Sequence, residues 1–199
     1  MRPTKHHRRS TRLSGYDYRQ AGAYFVTICT QNRECLFGDV NDGRVVLSGP
    51  GEMIESVWHG LPERYPGVIV DAFVVMPNHI HGVVTLVGAG ASACPDGSGQ
   101  PQGVAPTLSL PDVVHRLKSL TTARYRREVR ESGWQPFAGR LWQRNYYEHV
   151  IRDEDDLDRV RRYIAENPLR WDDDPENPAV ALTEGDHGGS PLRPGGGRS

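Results

Sequence analysis

The sequence lacks several features that would place a protein in a specialised class. Its 199 residues include three cysteines, an odd number without zinc-ligand spacing, which argues against a disulfide framework or a structural zinc site. No apolar run is long enough to span a bilayer, and the charged N-terminus has no hydrophobic leader segment. We therefore expect a cytoplasmic protein with no membrane partner. With 37% hydrophobic residues, the chain can bury the core of one ordinary domain.

The chain also lacks a net charge of either sign, because its charges cancel between segments. The formal net charge is −1, yet residues 1–20 and 113–130 each carry +5 and residues 172–199 carry −4. Such asymmetry indicates a polyanionic partner, although a basic helix face is more often simply solvated. From charge alone, both interpretations stay open.

Two histidines stand one residue apart in a segment that otherwise has the pattern of buried strands. Apolar runs rich in β-branched residues flank a Pro-Asn turn, at residues 69–76 and 82–87. Alternate side chains of a strand project from one face, so His79 and His81 are predicted to lie together while the residue between them faces the core. Two neutral imidazoles on one surface can share a metal ion, but a histidine pair alone is equally compatible with a structural role.

A second group of polar residues lies on a predicted helix further along the chain. The acidic residues 153–156 favour a helix N-terminus, apolar residues follow at helical spacing, and Pro168 ends the helix. Tyr163 and Asn167 are four residues apart, so they share a helix face. Their phenol and carboxamide could reach a metal ion bound by the two histidines.

The order of strands and helices predicts an α+β domain with an antiparallel sheet and helices packed on it. Residues 88–106 are rich in Gly, Ala, Ser and Pro and are predicted to be a flexible insertion. A basic arm (residues 1–15) is expected to be flexible and an acidic tail (residues 172–199) to be disordered. These segments leave residues 16–171 as the folded domain, whose last predicted strand covers residues 141–151.

Five stretches carry a resemblance to a known family, in one order between about residues 10 and 171. They are GAYFVTICT (22–30), MPNHIHG (76–82), LKSLTT (117–122), LWQRNYYEHVIR (141–152) and RYIAENP (162–168). In these stretches the chain resembles the single-tyrosine HUH transposases, specifically the REP-associated tyrosine transposases and their insertion-sequence relatives. The resemblance implies the ferredoxin-like HUH nuclease fold, whose central strands carry the histidines and whose C-terminal helix lies across that sheet face.

The resemblance also implies an enzyme that nicks and rejoins DNA. Mg²⁺ or Mn²⁺ held by His79, His81 and Asn167 would polarise and orient the scissile phosphate. The phenolate of Tyr163 would attack it to form a covalent 5′-phosphotyrosine, whose transfer to a different 3′-hydroxyl is strand transfer. Glu166 is the other candidate for the third ligand, but it lies about 100° around the helix from Asn167. The family often has Gln at this position, and the side chain of Asn167 is shorter.

Single-stranded and hairpin DNA at palindromic repeats is the substrate that the resemblance implies. Basic residues interleaved with aromatic ones suit a single strand, and the candidates here are Arg8, Arg9, Arg12, Tyr16, Tyr18, Arg116, Lys118, Arg124 and Arg127. A homodimer and a monomer both stay open. Two other functions also stay open: a non-catalytic hairpin-binding module or regulator that keeps the fold, and a metal-dependent phosphodiesterase that does not need Tyr163.

Overall fold

The computed structural model describes residues 18, 20–87 and 108–181, so the predicted arm and insertion lie outside the described residues. The strands are β1 Gly22–Cys29, β2 Gly38–Asn41, β3 Arg44–Leu47, β4 Val68–Val75, β5 His79–Leu86 and β6 Tyr147–Ile151. The helices are α1 Gly49–His59, α2 Leu61–Arg64, α3 Leu110–Glu131, α4 Glu154–Glu166 and α5 Pro178–Ala181. None of the helices in these ranges has the length and apolar character needed to cross a membrane.

Four strands form one antiparallel sheet in the order β4-β5-β1-β6. Apart from a separate β2–β3 hairpin and the short α2, the chain passes through this sheet as β-α-β-β-α-β, which is the ferredoxin-like arrangement. The predicted α+β, ferredoxin-like fold is therefore confirmed. The β2–β3 hairpin is absent from the sequence predictions, although its Asp42-Gly43 turn, with φ of 50° and 69°, is a strong sequence signal for a tight hairpin.

The sheet separates two hydrophobic cores, and each strand contributes alternate residues to both. On one face, Ile80 and Val84 of β5 belong to the larger core, which α1 and α3 cover. On the other face, Phe25 of β1 packs with Val160 and Ile164 of α4 in a smaller core. The histidine face of β5 is therefore the face covered by α4, as the resemblance implies.

Gly82 allows β5 to lie directly against α1. A Cβ atom at this position would collide with the Trp58 ring, which stacks on Phe73 of β4 with 4.5 Å between ring centres. A glycine is needed where an aromatic ring approaches the backbone this closely. Trp58 therefore supports β5 from the sheet face opposite the two histidines.

Two predicted boundaries are wrong. The last sheet strand begins at Tyr147 rather than at residue 141, and the preceding residues run beside the end of β1, where Thr30 and Trp142 form an isolated bridge. The predicted disorder after residue 171 is wrong for residues 172–181. A 3₁₀ helix, Asn167–Asp173, continues from α4 and is followed by α5, and Asp174 between them is buried.

Candidate active site

His79 and His81 lie side by side on β5, as the alternation of a strand predicts. Their Nε2 atoms are 3.0 Å apart, and both side chains are buried. Burial lowers the pKa of His79 to about 3 and that of His81 well below its ordinary value, because the protein interior disfavours the charged imidazolium. Both imidazoles are therefore neutral near pH 7, which is the form that binds metal ions.

Hydrogen bonds at Nδ1 orient the two imidazoles. Asn78 Nδ2 donates to two backbone carbonyls, at 3.1 and 2.7 Å, which leaves its Oδ1 to accept from His79 Nδ1 at 2.8 Å. His79 therefore carries its proton on Nδ1 and presents an unprotonated Nε2. Thr27 pairs with His81 across β1 and β5, and its hydroxyl lies 2.8 Å from His81 Nδ1. Partners of this kind fix the tautomer and ring orientation of metal-binding histidines.

Asp174 and Asn167 add oxygen atoms beside the imidazole pair. Asp174 Oδ2 lies 3.9 Å from His79 Nε2, and Asn167 Nδ2 donates to that oxygen at 3.3 Å. Asn167 Oδ1 is buried and accepts no hydrogen bond within the described part of the chain. The Asn167 side chain opposes the fall in the His79 pKa, because a protonated Nε2 would donate to this oxygen and a neutral one cannot. We call His79, His81, Asn167 and Asp174 the acceptor cluster.

The acceptor cluster fits a divalent metal ion. Ligand atoms of the two histidines and Asp174 all lie within 4.8 Å of one another. Burial, the largest influence, raises the pKa of Asp174 above its ordinary value, which shows how unfavourable its charge is without a nearby cation. Two imidazole nitrogens together with carboxylate and amide oxygens form a ligand set suited to a transition metal or a similar divalent ion.

Asn167 lies in the cluster, whereas Glu166 faces away from it. Asn167 is 2% exposed, while the Glu166 carboxylate pairs with Arg170 at 2.6 Å on the protein surface. The rotation of about 100° between successive helical residues accounts for the difference. The geometry thus favours Asn167 over Glu166 as a ligand, and it adds Asp174, which the sequence predictions assign to a disordered tail.

Tyr163 lies on α4, above the histidine face of the sheet. Its ring centre is 5.2 Å from that of His81. Burial raises the pKa of Tyr163 well above its usual range, the carboxylates of Asp174 and Glu176 raise it further, and a hydrogen bond with Asn167 lowers it. Without a cation in the cluster, the phenol is therefore protonated at neutral pH.

Polar contacts at both edges of the sheet hold α4 in the orientation that brings Tyr163 over the histidines. Asp153 caps the helix by accepting from the backbone of Asp156 at 2.8 Å, and the Asp156 carboxylate lies 2.8 Å from His149 Nε2 on β6. On the other edge, Arg161 donates to both carboxylate oxygens of Asp71 on β4, at 3.2 and 2.6 Å. These contacts fix the rotation of α4 about its axis.

The N-terminal candidates for DNA binding divide into two groups. Arg8, Arg9, Arg12 and Tyr16 lie outside the described residues. Tyr18 belongs to the larger core, where its ring centre is 6.2 Å from that of Tyr24. The prediction that Tyr18 stacks on bases is wrong for this structure, because the ring is buried against the sheet.

The candidates for DNA binding on α3 differ in how many contacts they make with the rest of the protein. Lys118 Nζ donates to three backbone carbonyls, at 2.9, 3.2 and 3.1 Å, and Arg127 pairs with neighbouring glutamates. Arg116 lies over the Tyr65 ring at 4.9 Å, and Arg124 is half-buried. Lys118 thus has a structural role that charge counting does not reveal, and DNA contacts by these four residues stay a prediction.

Comparison with known proteins identifies the family of this chain. A family of IS200-like transposases matches residues 103–167, a range that contains Tyr163 and Asn167. A Haemophilus influenzae protein of unassigned function is 38% identical over 177 residues, which cover 85% of this chain and 92% of that protein. The chain belongs to the IS200-like transposase family. The predicted family is therefore confirmed.

Two further proteins are similar to this chain. A second Haemophilus influenzae protein, provisionally named a REP-associated tyrosine transposase, is 28% identical over 168 residues, or 79% of this chain and 77% of its own. A solved structure of a REP-associated tyrosine transposase bound to a REP hairpin is 21% identical, with a TM-score of 0.48, and covers 79% of this chain and 74% of its own.

Proposed function

We propose that this transposase nicks single-stranded DNA and rejoins it through a covalent bond to Tyr163. The observation that carries the proposal is the position of the phenol, whose ring centre is 5.2 Å from that of His81, beside a buried cluster that fits a cation. Hairpins formed by palindromic repeats are the proposed substrate, in keeping with the family to which the chain belongs.

His79, His81 and Asn167 are the proposed metal ligands, with Asp174 as a fourth. Mn²⁺ accepts both imidazole nitrogen and carboxylate or amide oxygen, and Mg²⁺ prefers the oxygens, so Mn²⁺ is the first choice and Mg²⁺ the second. When bound, such an ion supplies a positive charge that polarises a phosphate oxygen and stabilises a nearby phenolate.

Tyr163 is the proposed nucleophile. Its Oη attacks the phosphorus, the bond from phosphorus to the 3′-oxygen breaks, the phenol gives up its proton and the departing 3′-oxygen gains one. The product is a 5′-phosphotyrosine with a free 3′-hydroxyl. Attack by the 3′-hydroxyl of another strand restores a phosphodiester and the phenol. The buried surroundings of the cluster limit access of water, which favours rejoining over hydrolysis.

Formation of a covalent adduct tests this proposal. A labelled single-stranded hairpin is incubated with the protein and Mn²⁺ and resolved on a denaturing gel. We expect an adduct with the wild-type protein and none with Tyr163→Phe. Tyr147→Phe is the matched control, because Tyr147 packs on the same sheet face, with its ring centre 6.2 Å from that of Phe25, and has no proposed role in the reaction.

Two results would overturn the proposal. Binding of the hairpin without any adduct in the wild-type protein would indicate a non-catalytic binding module. Release of free cleavage products by both the wild-type protein and Tyr163→Phe would indicate a metal-dependent phosphodiesterase.

A further inference from the structure

A basic surface groove lies between α3 and the end of β1. It consists of two adjoining cavities of about 450 and 520 Å³, which share Arg140, Gln143 and Arg144. Its cationic lining residues are Arg33, Lys118, Arg126, Arg140 and Arg144. Among the described residues, no aspartate or glutamate lines either cavity, although the whole chain has a net charge of −1. We call this feature the arginine groove, and its charge favours a polyanion.

Arg140 and Arg144 are the cations of the groove best placed to bind a ligand. Both are exposed, and within the described ranges neither forms an ion pair with a carboxylate. By contrast, Arg33 pairs with Glu176 at 3.1 Å. A guanidinium that keeps its full charge at a concave surface suits bidentate contact with a phosphate.

The loop that carries these two arginines is held in place from beneath. Lys118 Nζ donates to the three successive carbonyls of residues 143–145. Trp142 Nε1 donates to Thr121 Oγ1 of α3 at 2.8 Å, and the backbone N–H that follows Trp142 donates to the Cys29 carbonyl at 2.9 Å. Because these contacts order the loop in advance, a ligand bound there meets a smaller entropic cost.

The groove leads to the histidine end of the sheet. Cys29, which holds the loop, is the register partner of His79. Arg33 in the groove accepts from Asn78 Nδ2 through its carbonyl at 3.1 Å, and Asn78 in turn binds His79. Asn32 and Arg33 both have left-handed backbone conformations, with φ of 59° and 55°. Such conformations are unfavourable for residues other than glycine and concentrate at functional sites.

We infer that the arginine groove binds the backbone of single-stranded DNA next to the scissile phosphate, with Arg140 and Arg144 each contacting one phosphate. The identity of the polyanion rests on the proposed function. We expect the DNA to be single-stranded because the acceptor cluster at the end of the groove is buried. An unpaired strand can bend sharply enough to bring one phosphate to the cluster. These two arginines lie in a loop outside the basic helix that the sequence pattern favours.

The test measures DNA binding as a function of salt. All proteins carry Tyr163→Phe, so that binding is read without covalent reaction, and the probe is a fluorescent single-stranded oligonucleotide. Arg140→Gln/Arg144→Gln is compared with Arg44→Gln/Arg64→Gln, which removes the same charge from exposed positions outside the groove. We expect the groove variant to bind about tenfold more weakly, with the slope of log Kd against log salt reduced by about 1.4, since each single-strand phosphate contact contributes about 0.7.

Each outcome decides the inference. The slope should stay unchanged in the control pair and in Arg140→Lys/Arg144→Lys, which keeps both charges. Equal slopes in the groove variant and the control pair, or no measurable binding by the parent protein, would overturn the inference. The adduct test on the protein that retains Tyr163 separates the two proposals. If DNA binding depends on the groove but no adduct forms, the inference about the groove stands and the proposed function is rejected. If an adduct forms but DNA binding does not depend on the groove, the proposed function stands and the inference about the groove is rejected.

Discussion

The hydroxyl of Thr27 is expected to determine how tightly the acceptor cluster binds a metal ion. Thr27 is buried on β1, opposite His81 on β5, and its Oγ1 lies 2.8 Å from His81 Nδ1. Valine has nearly the same shape as threonine but no hydroxyl. Thr27→Val therefore removes the hydrogen-bond partner of the imidazole while the neighbouring side chains stay packed.

The size of the expected loss in metal affinity depends on which ring nitrogen of His81 carries the proton. A metal ion needs Nε2 unprotonated, which places the proton on Nδ1, and a buried N–H without a partner costs about 1–3 kcal/mol. The metal-free variant avoids that cost by moving the proton to Nε2, which lies 3.0 Å from His79 Nε2 and can donate to it. The cost thus falls mainly on the metal-bound form. We expect the Mn²⁺ dissociation constant to rise about 10–100-fold, as is typical when a partner of a metal ligand is lost.

Titration of Mn²⁺, followed by calorimetry or by the electron paramagnetic resonance of the free ion, measures the effect. Thr27→Ser is the matched control, because it keeps the hydroxyl and should retain the wild-type affinity. A Thr27→Val protein that binds Mn²⁺ as tightly as wild type would refute the reasoning that this hydroxyl sets the tautomer of His81.

Two further predictions concern α4 and Asn167, the residue that follows it. Asn167→Ala should weaken Mn²⁺ binding and Glu166→Ala should not, because only Asn167 lies in the acceptor cluster; the same titration measures both, and equal losses would contradict the assignment. Arg161→Gln should lower the free energy of unfolding near pH 7 but not in strong acid. Hydrogen bonds from Arg161 lower the pKa of Asp71, so the stabilisation is present above the ordinary carboxyl pKa and is lost as the pH falls through the lowered one. Urea unfolding at the two pH values compares the variant with wild type, and a pH-independent difference would count against the ion pair.

The sequence predicts those parts of the site that lie within single elements. The pairing of His79 with His81 follows from the two-residue repeat of a strand, and that of Tyr163 with Asn167 from the helical repeat. Both repeats are fixed by backbone geometry, so neither needs knowledge of the tertiary fold. The packing of α4 on the histidine face needs such knowledge, and only the family resemblance implies it.

Asp174 shows what local patterns miss. It stands in a segment whose polar composition is typical of disorder, and it is buried because the chain after α4 folds back towards the sheet. Asp174 Oδ1 accepts from the Glu176 backbone at 2.7 Å, and Asn177 Nδ2 donates to the Trp171 carbonyl at 2.8 Å. These contacts have no periodic signature, so the composition of residues 172–199 does not reveal the ordered segment at residues 172–181.

Charge counting fails for a related reason, since it ignores what each charge contacts. The basic helix α3 attracts attention in the sequence, yet Lys118 binds backbone carbonyls and Arg127 binds glutamates. Arg140 and Arg144 lie outside the basic segments of the sequence, and a loop beside β1 brings them into one groove. Spatial concentration, rather than density along the chain, determines the local potential.

Most of the hydrophobic core lies on the sheet face away from the proposed active site, so the fold does not depend mainly on the residues of that site. Within the described residues, 21 buried residues form the larger core with α1 and α3, and four form the core beneath α4. Because hydrophobic stabilisation grows with buried apolar area, the sheet is held mainly from the face opposite the histidines. Changes in Tyr163 or in the acceptor cluster are therefore expected to remove the proposed reaction while the fold and the arginine groove persist. A non-catalytic DNA-binding form is thus physically accessible to this fold, and the adduct, rather than stability or DNA affinity, is the observation that distinguishes it from the enzyme.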